Sequence, residues 1–474
     1  MEAKEAIDRI LMPKSIAVIG ASKDPFKWGH MLLSAIMKGG FEGELHPINP
    51  RETEIEGLTC YPSVKDVPGD VDMAIVVVPA HVVPTIFSDL AEKGVKGAVI
   101  ITSGFGEAGE EGRKIVEQMK TNAAGKVRFI GPNCMGICSS PAKLSALMIP
   151  FLHDKGEVAF VSQSGGYGLQ LYLRASAMGV GINKFVSSGN ESDITGVDYL
   201  RYFGDDPSVG LICMYIEGLK RGREWYEAAK EITKKKPIVV IKVGTTEEGG
   251  KAAASHTGAL SGSDNIYSAA FKQAGVIRAY DAVEMFDFIK GLLYSPLPRG
   301  DRIGIVSNSG GIAVETADAL IKNGLSIPTL SDEAQEEILK VIPAFGNPRN
   351  PVDLTASLNM NSFLKAPDIV LSQDNIDGLV TIGLGTSMLQ TMFPDVEPED
   401  FMGIYKWISE QLISTYQKFD KPVLVINPAA DIEPEAAKIM DDARIPVYTT
   451  PERAADVMGV LYRRKLYLDK VKGE

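Results

Sequence analysis

An α/β fold is predicted, with a Rossmann-like doubly wound domain followed by two flavodoxin-like doubly wound domains. Three observations predict it. Short β-branched runs recur, each followed by a glycine-rich turn and a helical period, which is the pattern of βαβ units around parallel sheets. Glycine supplies 47 of 474 residues, above the usual ~7%, as many tight strand-to-helix turns require. A run beginning at Glu157 (EVAFVSQSGG) returns in nearly the same form at Arg302 (RIGIVSNSGG), so one unit is present twice.

The elements follow in order. Residues 15–20 (SIAVIG) read as the first strand, 28–38 as a helix, 44–49 as the second strand and 73–78 (MAIVVV) as a buried third. Residues 97–102 (GAVIIT) and 127–130 continue the sheet, which closes at Gly131-Pro132-Asn133-Cys134. This gives a first domain over 1–145. A second domain over 150–295 opens with the strand before Ser162-Gln163-Ser164-Gly165-Gly166, and a third over 300–474 opens with the strand before Ser307-Asn308-Ser309-Gly310-Gly311. Within the repeat, Asn190 with Asp193-Ile194-Thr195 is matched to Asn347 with Asp353-Leu354-Thr355, and 236–240 (KPIVV) to 421–425 (KPVLV). The stretch 295–300 (SPLPRG) reads as the linker between the copies.

Composition narrows the function. Lys plus Arg is 49 and Asp plus Glu is 61, a net charge of −12, which repels phosphate backbones and argues against nucleic acid. The start, MEAKEAIDRI, lacks the apolar core of a signal peptide, and no aliphatic run approaches the ~18 residues of a membrane span. A cytoplasmic protein off the membrane is the expectation. Cys60, Cys134, Cys138 and Cys213 do not form two metal-type pairs, and reduced buried thiols are expected. His30, His46, His81, His153 and His256 show no short ligand spacing, so no metal site is expected.

The turn Gly20-Ala21-Ser22-Lys23 after the first strand reads either as a phosphate cradle or as an ordinary βα connection. Ser22 and Lys23 favour an anionic ligand beside free backbone amides. The second strand ends Ile48-Asn49-Pro50, without the acid that an NAD ribose requires, which points to another nucleotide. Val78-Pro79 and Ser103-Gly104 stand at the carboxyl ends of later strands, where such sheets bind ligands.

The two copies differ most after the Lys-Pro strand. The second domain carries a glycine- and alanine-rich run from Gly244 to Gly262 containing Ser255-His256-Thr257-Gly258, whereas the third has Asn427-Pro428-Ala429-Ala430-Asp431 there and no histidine anywhere. A scaffold common to both copies does not need that insertion, so it is read as functional. A neutral imidazole attacks phosphorus with one ring nitrogen when the other N–H is held by an acceptor, best a carboxylate that also stabilises the cation formed. Glu217, at the end of the apolar run 210–216, is the candidate acceptor. The Ser162–Gly166 turn aims a helix start at the same edge, and its copy at Ser307–Gly311 leaves open a purely architectural role.

Taken in order, Gly20-Ala21-Ser22, Gly131-Pro132-Asn133-Cys134-x-Gly136, Ser162-x-Ser164-Gly165-Gly166, Glu217 and Ser255-His256-Thr257-Gly258-Ala259 resemble the CoA-binding and ligase domains of the succinyl-CoA synthetase superfamily. With the third domain, the chain resembles the α subunits of ADP-forming acyl-CoA synthetases. The resemblance implies that His256 is phosphorylated transiently and that Glu217 orients it. It implies that CoA lies along Gly20, Ala21, Ser22, Lys23, Asn49, Val78, Pro79, Ser103, Gly104 and Asn133. An acyl phosphate would form near Gln163, Ser164, Gly165, Gly166, Gly189 and Asn190. ADP or ATP with Mg²⁺ is expected on a separate ATP-grasp β subunit in an α₂β₂ assembly, with small acids, phosphate and CoA as substrates. The competing reading is a non-catalytic CoA or nucleotide sensor or scaffold; an NAD-dependent oxidoreductase draws on the first turn alone.

Overall fold

The computed structural model describes residues 2–148, 156–251, 263–355, 359–383 and 398–473. The first sheet has five parallel strands. Ser15–Ile19 lies between Glu44–Ile48 and Met73–Val76, and Gly97–Ile100 and Arg128–Ile130 continue beyond the latter. The order therefore reverses between the first and third strands, the switch point at which such sheets bind ligands. Ser15–Ile19, Met73–Val76 and Gly97–Ile100 are buried along their whole length, which is why they read as unbroken aliphatic runs rather than alternating ones. The helix Trp28–Lys38 follows the first strand as its period predicts.

The second sheet has seven strands. Its parallel part repeats the same order, with Val158–Ser162 between Ile182–Ser187 and Leu211–Ile216, followed by Ile238–Lys242 and Ile277–Ala279. An antiparallel hairpin, Gly136–Ser139 and Leu144–Leu147, completes it beside Ile182–Ser187. Residues inside the 1–145 segment thus add two strands to the sheet that follows. A two-stranded hairpin is barely stable alone, and this one is fully buried against its new neighbour.

The third sheet again runs in the same order. Ile303–Ser307 lies between Val352–Asp353 and Gly378–Ile382, with Val423–Ile426 and Val447–Tyr448 beyond. Register corrects one sequence match. Ser162 pairs with Ser187, and Ser307 pairs with Asp353, so Asp353 answers to Ser187 and not to Asp193. The shared Asp-aliphatic-Thr triplets are a coincidence of composition, because ladder pairing and not local spelling fixes equivalence.

By contacts the chain divides into two compact units, 1–285 and 286–474, with the division inside the helix Ala282–Tyr294. In the second unit Asp287 meets Arg453 at 2.6 Å and Lys290 meets Asp441 at 2.6 Å. No helix among the described residues is long and apolar enough to cross a membrane. The four cysteines are free and buried.

Candidate active site

The first turn is built on close approach. Gly20 has φ +94°, and a Cβ there would lie 2.3 Å from the Val77 carbonyl oxygen. A Cβ on Gly29 would lie 2.0 Å from the Gly20 oxygen. Only glycines let the strand, the turn and the start of Trp28–Lys38 pack this tightly. No side chain caps that helix start; the His30 amide bonds the Lys27 carbonyl, and those of Trp28 and Gly29 are left to solvent or to a ligand. Asn49 donates to the Ala21 carbonyl at 2.8 Å and accepts from the Arg51 amide at 2.9 Å, so its carboxamide fixes the turn. Lys23 meets Glu52 at 2.7 Å on the exposed surface, and the Ser22 hydroxyl accepts from the Asp24 amide.

The other carboxyl ends are tied to this edge. Thr102 donates to the Val78 carbonyl at 2.7 Å, and the Asn133 amide donates to the Thr102 carbonyl at 2.9 Å. The loop at Asn133 then runs against 189–194. The Asn190 amide donates to Pro132, that of Ser192 to Gly131 and that of Ile194 to Phe129. Arg128 Nε pairs with Asp193 at 2.9 Å and locks the same seam. Gly189, at φ +56°, would place a Cβ 2.4 Å from the Pro132 oxygen. Asn133 and Asn190 side chains meet at 3.4 Å. Asn133, Gly189 and Asn190 are therefore brought together, although 56 residues of chain separate Asn133 from Gly189.

Sequence reasoning missed two carboxylates bonded into this seam, half-buried Glu107 and buried Glu191. Glu107 accepts from the Gly104 and Phe105 amides at 2.6 and 3.1 Å, and from the Asn190 carboxamide. Burial acts to raise its pKa, yet the amides of Glu107, Gly104 and Phe105 and the Asn190 side chain outweigh this and hold it below the ordinary carboxylate value. Glu191, 3% exposed and at φ +48°, accepts from the Ser188 hydroxyl at 2.9 Å and the Gly196 amide at 3.1 Å. Burial pushes its pKa up, against those donors, Gln163 and Lys220. Lys220 itself donates to the carbonyls of Asn190 and Glu191 at 2.6 and 3.2 Å, with its pKa lowered by burial.

Glu217 follows the strand Leu211–Ile216 and is 7% exposed. Gln163 holds it from the neighbouring strand end. The Gln163 carboxamide oxygen accepts from the Glu217 amide at 2.6 Å and the Gly218 amide at 3.0 Å, and its nitrogen donates to the Gly218 carbonyl at 2.8 Å. Lys242 stands in register with Ile216 and is 4% exposed. Burial lowers its pKa, while the carboxylates of Asp264 and Glu217 favour its charged form. A lysine closing an otherwise aliphatic strand was the available signal. His256, with Ser255 and Thr257, lies outside the described residues, as does His153.

The Ser162–Gly166 turn is shaped by its own hydroxyl, since Ser162 donates to the Ser164 carbonyl at 2.7 Å. Ser307 donates to Ser309 in the same way at 2.8 Å. Neither helix start, at Gly165 or Gly310, carries a side-chain cap. A Cβ on Gly165 would lie 2.6 Å from Met135 Cγ, whereas Gly166 faces open space. In the third domain a cavity of about 640 Å³, lined by Asn308, Ser309, Asp353, Thr355 and Asn427 among others, lies at the equivalent sheet edge. Sequence reasoning did not foresee it. Among the described residues no group of three or more His, Cys, Asp or Glu side chains could hold a metal.

Three family descriptions match the chain: a CoA binding domain over 14–140, a succinyl-CoA ligase like flavodoxin domain over 155–292 and a ligase-CoA domain over 303–469. The chain is 40% identical over 469 residues to the acetate–CoA ligase (ADP-forming) I subunit alpha of Pyrococcus furiosus, covering 97% of each. It is 35% identical to the 4-hydroxybutyrate–CoA ligase (ADP-forming) of Nitrosopumilus maritimus, over 96% of this chain and 64% of that one. Among solved structures, the dinucleotide forming acetyl-coenzyme A synthetase 1 of Ca. Korarchaeum cryptofilum, in complex with phosphate and ADP, superposes with a TM-score of 0.88 at 35% identity, over 98% of this chain and 99% of that one.

Proposed function

We propose, from the premise that this chain belongs to the family of ADP-forming acetate–CoA ligase α subunits, that it is the α subunit of an acid–CoA ligase acting through a phosphohistidine at His256. The overall reaction is acyl-CoA, ADP and phosphate to acid, CoA and ATP, and it is reversible. The observation that carries this reading is the hydrogen-bonded seam that sets Asn133 against Asn190, whose carbonyl accepts from Lys220, three residues beyond Glu217.

CoA is bound by the 1–145 domain, its phosphates along Gly20, Ala21, Ser22 and Lys23 and its pantetheine path past Asn49, Val78, Pro79, Ser103, Gly104 and Asn133. A phosphate oxygen attacks the thioester carbonyl, the C–S bond breaks, and the thiolate leaves and takes a proton, giving CoA and an acyl phosphate. Ser164, Gly165, Gly166, Gly189 and Asn190 of the 150–295 domain supply amides and dipoles for the developing charge. A ring nitrogen of His256 then attacks phosphorus and the carboxylate departs as free acid. Glu217 accepts the other ring N–H and stabilises the imidazolium character of the phosphohistidine. The chemistry asks for positioning and charge stabilisation more than for covalent machinery.

The glycine-rich composition of the run that carries His256 suits delivery of the phosphoryl group to ADP, because glycine admits a wide range of backbone conformations. An ATP-grasp β subunit holding ADP or ATP with Mg²⁺ completes the enzyme as α₂β₂, in the cytoplasm, and the 300–474 domain serves as a second ligase domain. With labelled ATP and the β subunit, His256 is expected to carry an acid-labile, base-stable label that His256→Ala removes. Absence of label with a partner competent in turnover would reject the reading.

A further inference from the structure

We infer that Gln163 is a positioning residue for Glu217 and not a ligand of phosphate or acyl group. A carboxamide has two N–H donors and an oxygen that accepts two bonds. Both oxygen positions are engaged by the Glu217 and Gly218 amides, and one N–H by the Gly218 carbonyl. The Gln163 carboxamide also favours the charged form of Glu191, whose carboxylate lies in the loop that carries Gly189 and Asn190. Three of the four hydrogen-bonding positions of Gln163 are thus met by backbone groups, and its oxygen is saturated by the Glu217 and Gly218 amides.

The position of the clamp explains its use. The Gln163 amide donates to the Tyr215 carbonyl at 3.1 Å, the last backbone bond before the two strand ends diverge. Beyond it the ladder stops, and Glu217 would begin a free loop. The side chain of Gln163 replaces the missing ladder with three bonds to the next two residues, extending strand-like order to the residue that must be aimed. Asn308 takes this place in the third domain and is a methylene shorter. No comparable clamp occurs among the described residues there.

The inference rests on the reading that Glu217 orients His256, and the experiment separates the two. Single-turnover formation of phosphohistidine from labelled ATP is measured with the β subunit for wild type, Gln163→Ala, Gln163→Glu, Glu217→Gln and the double variant Gln163→Ala/Glu217→Gln. Misplacement of a catalytic group by about 1 Å costs about 10²-fold, so Gln163→Ala should lower the rate constant by about that much. The KM values for phosphate and CoA should stay within about twofold, and the double variant should be no slower than Glu217→Gln alone. Gln163→Glu keeps the shape but sets a carboxylate against the Gly218 carbonyl and Glu191, and should be at least as slow as Gln163→Ala. A raised KM for phosphate with losses that multiply in the double variant would overturn the positioning role and make Gln163 a ligand. Full activity in Gln163→Ala would overturn it as well. Failure of the underlying reading looks different: wild type itself would carry no label on His256, or Glu217→Gln would be labelled at the wild-type rate. Thermal midpoints matching wild type confirm that the variants are folded.

Discussion

The second and third domains share one sheet order and one Ser-x-Ser-Gly-Gly turn, yet their carboxyl edges are finished differently. In the second, the turn is followed in register by Ser187, a glycine at φ +56° and a buried acid clamped by Gln163. In the third, the same places hold Asp353, Thr355 at φ +51°, and Asn308. The Thr355 hydroxyl is buried without a hydrogen bond among the described residues. The turn is common to both copies, so what distinguishes them is the side chains set around it. In the second copy this loop presses against the backbone of the first domain.

Exchanging residues between the copies breaks the comparison most sharply. Gly189→Thr must hold a β-branched residue at positive φ while its Cβ meets the Pro132 oxygen, and should cost about 3 kcal/mol or more. The reverse change, Thr355→Gly, relieves a left-handed threonine and a buried hydroxyl and should stay within about 1 kcal/mol of wild type. Urea unfolding of the full chain measures both, and equal costs would show that the two loops are under the same constraint. A smaller contrast is expected at the helix starts. Gly165→Ala drives a Cβ to 2.6 Å from Met135 Cγ and should cost about 1–3 kcal/mol. Gly310→Ala meets only Asp353 Oδ2 at 3.5 Å, an ordinary contact, and should be nearly neutral.

The smallest expected effect is a pH dependence at Glu107, which belongs to the second-domain edge through Asn190. Its folded pKa lies below the ordinary 4.5. The carboxylate therefore contributes stability that is fully present above about pH 4.5 and is lost as pH falls through the lowered folded value. Glu107→Gln should lose stability less steeply than wild type across that window, as followed by unfolding at pH 3 to 6. Parallel curves would remove Glu107 from the seam.

Much of this edge is legible in the sequence. The glycine at Gly20, the repeated turns and Glu217 at a strand end all follow from residue types whose geometry is local. The Glu107–Asn190 contact and the bonds of Lys220 to the Asn190 and Glu191 carbonyls are not legible there, since each joins distant residues and looks like a surface charge in isolation. The false match of Asp193 with Asp353 has the same origin, as a triplet of similar letters carries no register.

Sequence alone determined that the chain forms three sheets built on parallel strands and where their glycine turns fall, because periodicity and backbone freedom act over a few residues. Tertiary structure alone decided that the 136–147 hairpin joins the second sheet and that the Gln163 side chain bonds the Glu217–Gly218 backbone. Strand pairing and hydrogen-bond satisfaction are contests between segments far apart in the chain, and they are settled only when the segments meet.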